Sequence, residues 1–91
     1  MEYARSIRLV ARVLWSLADP VTGKVEVDEH EVSAELGIER DTLQRALRRL
    51  HHDGLISYQA LPPGMGSRRL RDAGELVRHV VVSPLLEEVG Q

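Results

Sequence analysis

The chain has no cysteine and no phenylalanine, and its only aromatic residues are Tyr3, Trp15 and Tyr58. Without cysteine there can be no disulfide and no thiolate metal site, which suits a reducing compartment such as the cytoplasm. With so few aromatics, Leu, Val and Ile must fill the core. No apolar run approaches the ~20 residues of a membrane span, and the N-terminus lacks the charged-then-apolar layout of a signal peptide. A cytoplasmic chain with no membrane partner is expected. Catalytic motifs are missing as well. Pro63-Gly64-Met65-Gly66 lacks the Lys-Ser/Thr end of a phosphate-binding loop, and no serine sits in a nucleophile motif. His51 and His52 are helix neighbours pointing about 100° apart, and His30 and His79 stand alone in sequence, so no metal set is expected. The chain reads as a non-enzyme that needs no cofactor.

A single domain, 1–91, is expected of ninety-one residues, without a separate small-molecule effector domain. With 43% hydrophobic residues it can close a compact core. The formal net charge of −2 hides a division along the chain. Residues 19 to 39 carry Asp19, Glu26, Asp28, Glu29, Glu31, Glu35 and Glu39 against Lys24 alone, a net of −6. Residues 40 to 71 carry Arg40, Arg45, Arg48, Arg49, Arg68, Arg69 and Arg71 against Asp41 and Asp53, a net of +5. Phosphates are attracted to the second surface and repelled by the first, so this layout would orient the molecule on a polyanion. Eleven of the twelve basic residues are Arg, a bias that goes with GC-rich bacterial coding.

The chain is organised around residues 35 to 56, ELGIERDTLQRALRRLHHDGLI. Leu43, Ala46, Leu47 and Leu50 fall at i, i+3, i+4 and i+7, the buried stripe of a helix from about Arg40 to His52. The opposite face holds Asp41, Arg45, Arg48 and His52, with Gln44 on one flank and Arg49 on the other. That face is rich in the kinds of group that bond bases and phosphates. Gly37 suits the positive φ that ends a preceding helix, and Asp53-Gly54 stops the second one. Two helices joined by a tight turn follow.

Through Val32, Ala34-Glu35-Leu36-Gly37-Ile38, Thr42-Leu43, Arg45-Ala46-Leu47, Leu50 and Gly54-Leu55-Ile56, this stretch resembles the helix-turn-helix of winged-helix transcription regulators. The GntR and MarR DNA-binding domains are the families in question. Glu39 stands where those families usually have a Ser that caps the recognition helix. Glu is a poorer cap, so Asp41 in the first turn is expected to supply the favourable negative charge. The resemblance implies a recognition helix in the major groove and a β-hairpin wing on the DNA backbone or minor groove.

The remaining pattern fits a mainly α fold with a small antiparallel β-sheet, a winged helix-turn-helix in the order α-β-α-α-β-β-α. A first helix is predicted over about 3–18, with Tyr3, Ile7, Val10, Leu14 and Leu17 as its stripe. Leu9, Val13 and Trp15 lie outside that stripe. They either widen the buried face or form the interface of a homodimer. Asp19-Pro20 ends this helix, a strand runs from Lys24 to Val27, and Asp28 caps a helix over Glu29 to Leu36. The helix-turn-helix spans about 28–53 and the wing about 55–83, with strands at 55–60 and 77–83 around a long loop. Arg68, Arg69 and Arg71 on that loop suit a narrow, electronegative groove, although a solvated loop is the plainer alternative. A short last helix over about 84–89 begins at Ser83-Pro84, its leucines packing on the first helix.

The expected function is sequence-specific binding of double-stranded DNA by a small bacterial transcriptional regulator. Asp41, Gln44, Arg45 and Arg48 are the candidate base readers, since Arg forks to guanine, Gln pairs with adenine and Asp accepts from cytosine. Arg40, Thr42 and Arg49, with the three wing arginines, are the candidate phosphate contacts. A plasmid or phage protein for replication, partition or excision would carry the same motif. So would a winged-helix module that binds another protein through the acidic surface of residues 28 to 39 or through the apolar extra face of the first helix.

Overall fold

The computed structural model describes residues 3–58 and 77–90. Its elements are α1 (Arg5–Leu17), β1 (Lys24–Asp28), α2 (Glu29–Leu36), α3 (Arg40–His52), β2 (Ile56–Tyr58), β3 (Val77–Val82) and α4 (Leu86–Gly90). The described residues are mainly helical with one three-stranded antiparallel sheet in the order β1-β3-β2. Among the described residues the elements follow one another as read from the sequence. Among them, no helix is long and apolar enough to cross a membrane.

Local chemistry sets the helix ends. The Asp28 side chain accepts the Glu31 N–H at 3.1 Å and so caps α2. Gly37 ends α2 with φ 67°, and the Ile38 N–H reaches back to the Ser33 carbonyl at 3.0 Å. Gly54 repeats the device after α3 with φ 75°, and there Leu55 N–H bonds to the Leu50 carbonyl at 2.9 Å. Both glycines adopt a left-handed conformation that a Cβ would strain. Glu39 precedes α3 without a side-chain capping bond, and Asp41 is the acidic residue of the first turn.

The core joins the four described helices to one face of the sheet. Val10, Ala11 and Leu14 of α1 meet Val32 of α2, the Leu43, Ala46, Leu47 and Leu50 stripe of α3, and Leu86 of α4. Val25 and Val27, Leu55 and Ile56, and Val80 and Val82 cover them from the sheet side. Burying one such aliphatic side chain contributes about 1.5–3 kcal/mol. The register pairs Val25 with Val80 and Ile56 with Val82, so alternate residues of all three strands point inward.

Several boundaries differ from expectation. Helix α1 begins at Arg5 rather than Tyr3 and ends at Leu17, since the backbone turns extended at Ala18. Leu17, assigned to the buried stripe, is consequently exposed. Val13 is partly buried and packs against the core, which supports the wider buried face at that position. Strand β1 runs one residue further, to Asp28, and β2 starts at Ile56 because Leu55 still closes the end of α3. Helix α4 begins at Leu86, after a turn in which Ser83 Oγ accepts the Leu85 N–H at 3.2 Å. Leu86 is buried on α1 while Leu85 is exposed, so only one of the two leucines packs inward. Gly90 lies so close to α1 that a Cβ there would sit 3.1 Å from the Arg12 backbone.

Candidate nucleic-acid interface

Packing of the Leu43, Ala46, Leu47 and Leu50 stripe leaves the other side of α3 outside. Arg40, Asp41, Arg45, Arg48 and His52 are all exposed there, and Thr42 is half-buried. Arg45 pairs with Asp41 one turn earlier at 2.6 Å, with side-chain exposures of 74% and 62%. An i,i+4 pair in that much solvent is worth only about 0.3–0.5 kcal/mol, so either group can exchange it for another partner. Arg40 and Arg48 have no ion pair among the described residues.

The two flanks of α3 behave differently. On one side, Gln44 Nε2 donates to Glu29 Oε1 at 2.9 Å, and Arg78 Nε donates to Glu29 Oε2 at 2.6 Å. Glu29 is fully buried, whereas the Arg78 side chain is 41% exposed. An ionised carboxylate removed from water needs both partners. This three-residue strut ties α2, α3 and β3 together. Gln44, expected as a reader of adenine, thus spends one amide N–H on the strut, because a carboxylate can only accept. Among the described residues no buried side-chain nitrogen or oxygen lacks a partner.

On the other flank, Arg49 Nε donates to Asp53 Oδ2 at 2.9 Å, and the guanidinium carbon lies 5.1 Å from the centroid of the Tyr3 ring. Tyr3 Oη donates to the same Asp53 oxygen at 2.6 Å. The Tyr3 hydrogen bond, seconded by Arg49, holds the Asp53 carboxyl below the ordinary aspartate range. The same bond to Asp53 pushes the Tyr3 phenol up. Arg49, expected to hold a phosphate, is therefore part of a clasp between the C-terminal end of α3 and the residue that leads into α1.

A cleft opens between α3 and the sheet, lined by Gln44, Leu47, Arg48, Tyr58 and Arg78. The Arg78 guanidinium carbon is 5.8 Å from the Tyr58 ring centroid, and His51 lies against the other side of this region with its ring 4.8 Å from that of Tyr58. Two arginines from different elements thus border one hollow, and among the described residues the buried Glu29 is the acid bonded to its lining.

Of the remaining expected site residues, Arg68, Arg69 and Arg71 lie outside the described residues, as do positions 59 and 60 of the expected strand. Leu9 is half-buried, and Trp15 is 37% exposed beside Pro20, Val21 and Pro84. Among the described residues no three His, Asp or Glu side chains come together as a metal set. Sequence reading missed Glu29, Tyr58 and Arg78. Strand parity carried the signal, because Arg78 shares its face with Val80 and Val82, and a cation on a core face calls for a buried acid. Comparisons with protein-family models, with curated proteins and with solved structures find no match for this chain.

Proposed function

We propose that the chain is a winged-helix module that binds double-stranded DNA, with α3 entering the major groove and the β2–β3 region with its connecting arginines lying along the backbone. The observation that carries this reading is the exposed face of α3, where Arg40, Arg45 and Arg48 stand opposite a stripe wholly committed to the core. A helix with that division presents its cations to a groove of matching width. Arg45, near the middle of the face with Asp41 beside it, is the base reader. Arg40 and Thr42 at the start of α3 hold phosphates, and Arg68, Arg69 and Arg71 add the wing contacts. The biological role fitting such a module is transcriptional regulation in a bacterium.

Fluorescence anisotropy with labelled random duplexes across a salt series tests the reading. With roughly five or six phosphates contacted, log affinity falls with log salt at a slope close to −5. No binding at low salt, or a flat dependence, rejects it. Pairing of two copies through Leu9 and Trp15 belongs to the same proposal and would set two α3 helices about 34 Å apart on a pseudo-palindromic site. A monomer in sedimentation at tens of micromolar, together with a footprint of one half-site, removes that part.

A further inference from the structure

We infer that Arg48 and Arg78 together seat one phosphodiester of the bound duplex in the cleft between α3 and β3, an assignment that rests on the DNA-binding reading above. The two cations come from elements far apart in sequence and line the same hollow with Gln44 and Tyr58. Arg48 is exposed and has no ion pair among the described residues. Arg78 gives its Nε to Glu29 at 2.6 Å, which leaves the two terminal guanidinium nitrogens for a second partner. Glu29 neutralises one of the two charges, and among the described residues the cleft keeps a net positive charge that one phosphate satisfies. The fork of Arg matches the paired oxygens of a phosphodiester.

The strut gives this seat its rigidity. Glu29 is fully buried and holds Arg78 on one oxygen and Gln44 on the other, so the Arg78 guanidinium is fixed relative to α3 before any ligand arrives. The Arg78 guanidinium also lies over the Tyr58 ring, 5.8 Å from its centroid, a second contact on the same group. A preorganised guanidinium loses less freedom on binding than a solvated one. Arg48 then works at the edge of the groove, and base reading is left to Arg45.

The test compares salt slopes on random duplex DNA for the wild type, Arg48→Gln, Glu29→Gln, the double variant Glu29→Gln/Arg78→Gln, and the triple variant that adds Arg48→Gln. Replacing Glu29 and Arg78 together avoids stranding a buried carboxylate, and Arg48→Gln changes an exposed position that folding does not depend on. Arg48→Gln and the double variant should each make the slope shallower by about one, with the affinity loss equal on all sequences. Glu29→Gln alone keeps both cations and should keep the wild-type slope, while the loosened hold on Arg78 lowers affinity at every salt concentration. Because one phosphate is shared, the triple variant should be no shallower than either. Unchanged slopes overturn the inference, and so does a triple variant shallower by about two, which would mean separate phosphates. Wild-type protein that does not bind DNA rejects the DNA-binding reading itself, a different outcome from a wild type that binds with the variants unaltered. Inorganic phosphate supplies the last arm. If it displaces duplex better than chloride at equal ionic strength, and does so only while Arg48 and Arg78 are present, the cleft belongs to a free anion and the phosphodiester assignment falls.

Discussion

Arg48 and Arg49 are neighbours on one helix and carry the same side chain, yet they do different work. Arg48 projects from the exposed face without an ion pair among the described residues. Arg49 is drawn onto the flank, bonded to Asp53 at 2.9 Å and held over Tyr3. The rotation of 100° between consecutive helix positions accounts for the divergence. One arginine is left to meet a ligand, while its neighbour closes the gap between α3 and the start of α1. The same contrast separates the exposed Arg45 from the half-buried Gln44. Charge in the α3 region therefore divides into a face available for binding and two flanks that hold the helix in place.

The largest effects should come from removing what lies beneath that division. Leu47 is buried in the stripe that aims the whole face outward, and Leu47→Ala should cost about 2–5 kcal/mol of stability through the cavity it leaves. Chemical denaturation measures this directly. On the flank, Arg78→Ala strands the fully buried Glu29 with Gln44 as its remaining partner. Breaking such a pair from one side costs about 3 kcal/mol, and restoring neutrality with Glu29→Gln in the same chain should recover most of the loss. If Arg78→Ala unfolds at the wild-type denaturant concentration, the flank is not structural and the comparison breaks.

Those two positions also show what could be read from the chain alone. The stripe Leu43, Ala46, Leu47 and Leu50 was legible because helical period depends on local spacing, and all four residues are buried. Asp28, Gly37 and Gly54 were legible for the same reason, since capping chemistry lies within a few residues of the backbone it serves. The fates of Gln44 and Arg49 were not. A helical wheel places both on flanks, but what packs on a flank is decided by residues 15 positions earlier, as Glu29 is for Gln44, or by the N-terminal Tyr3. Leu17 and Leu85 failed for a related reason. Leu17 is the last residue of α1 and Leu85 stands just before α4, and at such helix ends periodicity no longer fixes which residues are covered.

Arg45 and Arg49 sharpen the comparison at moderate size. Arg45→Ala should cost about 1–3 kcal/mol of affinity on a duplex selected from a random pool, and less on scrambled DNA, because a base contact is lost. Its effect on stability should stay within about 0.5 kcal/mol, given the solvent exposure of the Asp41 pair. Arg49→Ala should do the reverse, lowering stability by about 1 kcal/mol through the lost bond and ring contact and affecting DNA affinity little. Affinity and denaturation curves on both variants decide the matter. Equal losses of affinity for the two would erase the distinction between face and flank.

The smallest effect lies in the pH dependence of the Arg49 flank, where only a direction is expected. Asp53 is held below its ordinary value of 3.8, first by the Tyr3 hydrogen bond and then by Arg49. A depressed carboxyl stabilises the fold above its unfolded value, and that contribution disappears as pH falls through the depressed one. Tyr3 is pushed above its ordinary value of 10.0, chiefly by the same bond. Its neutral form is favoured in the fold, so its contribution is present below about 10 and disappears as pH rises through the raised value. Tyr3→Phe deletes the shared hydrogen bond and keeps a ring under Arg49. Melting temperature followed from pH 2 to 6 and from pH 9 to 11 should show both limbs flattened in Tyr3→Phe relative to wild type. The acid limb should flatten again in Arg49→Gln, while the alkaline one, which depends on Tyr3 and Asp53, should persist. An acid limb untouched by Tyr3→Phe would mean that Asp53 owes its low value to something other than this clasp, and Arg49 would then lose its structural reason for leaving the exposed face.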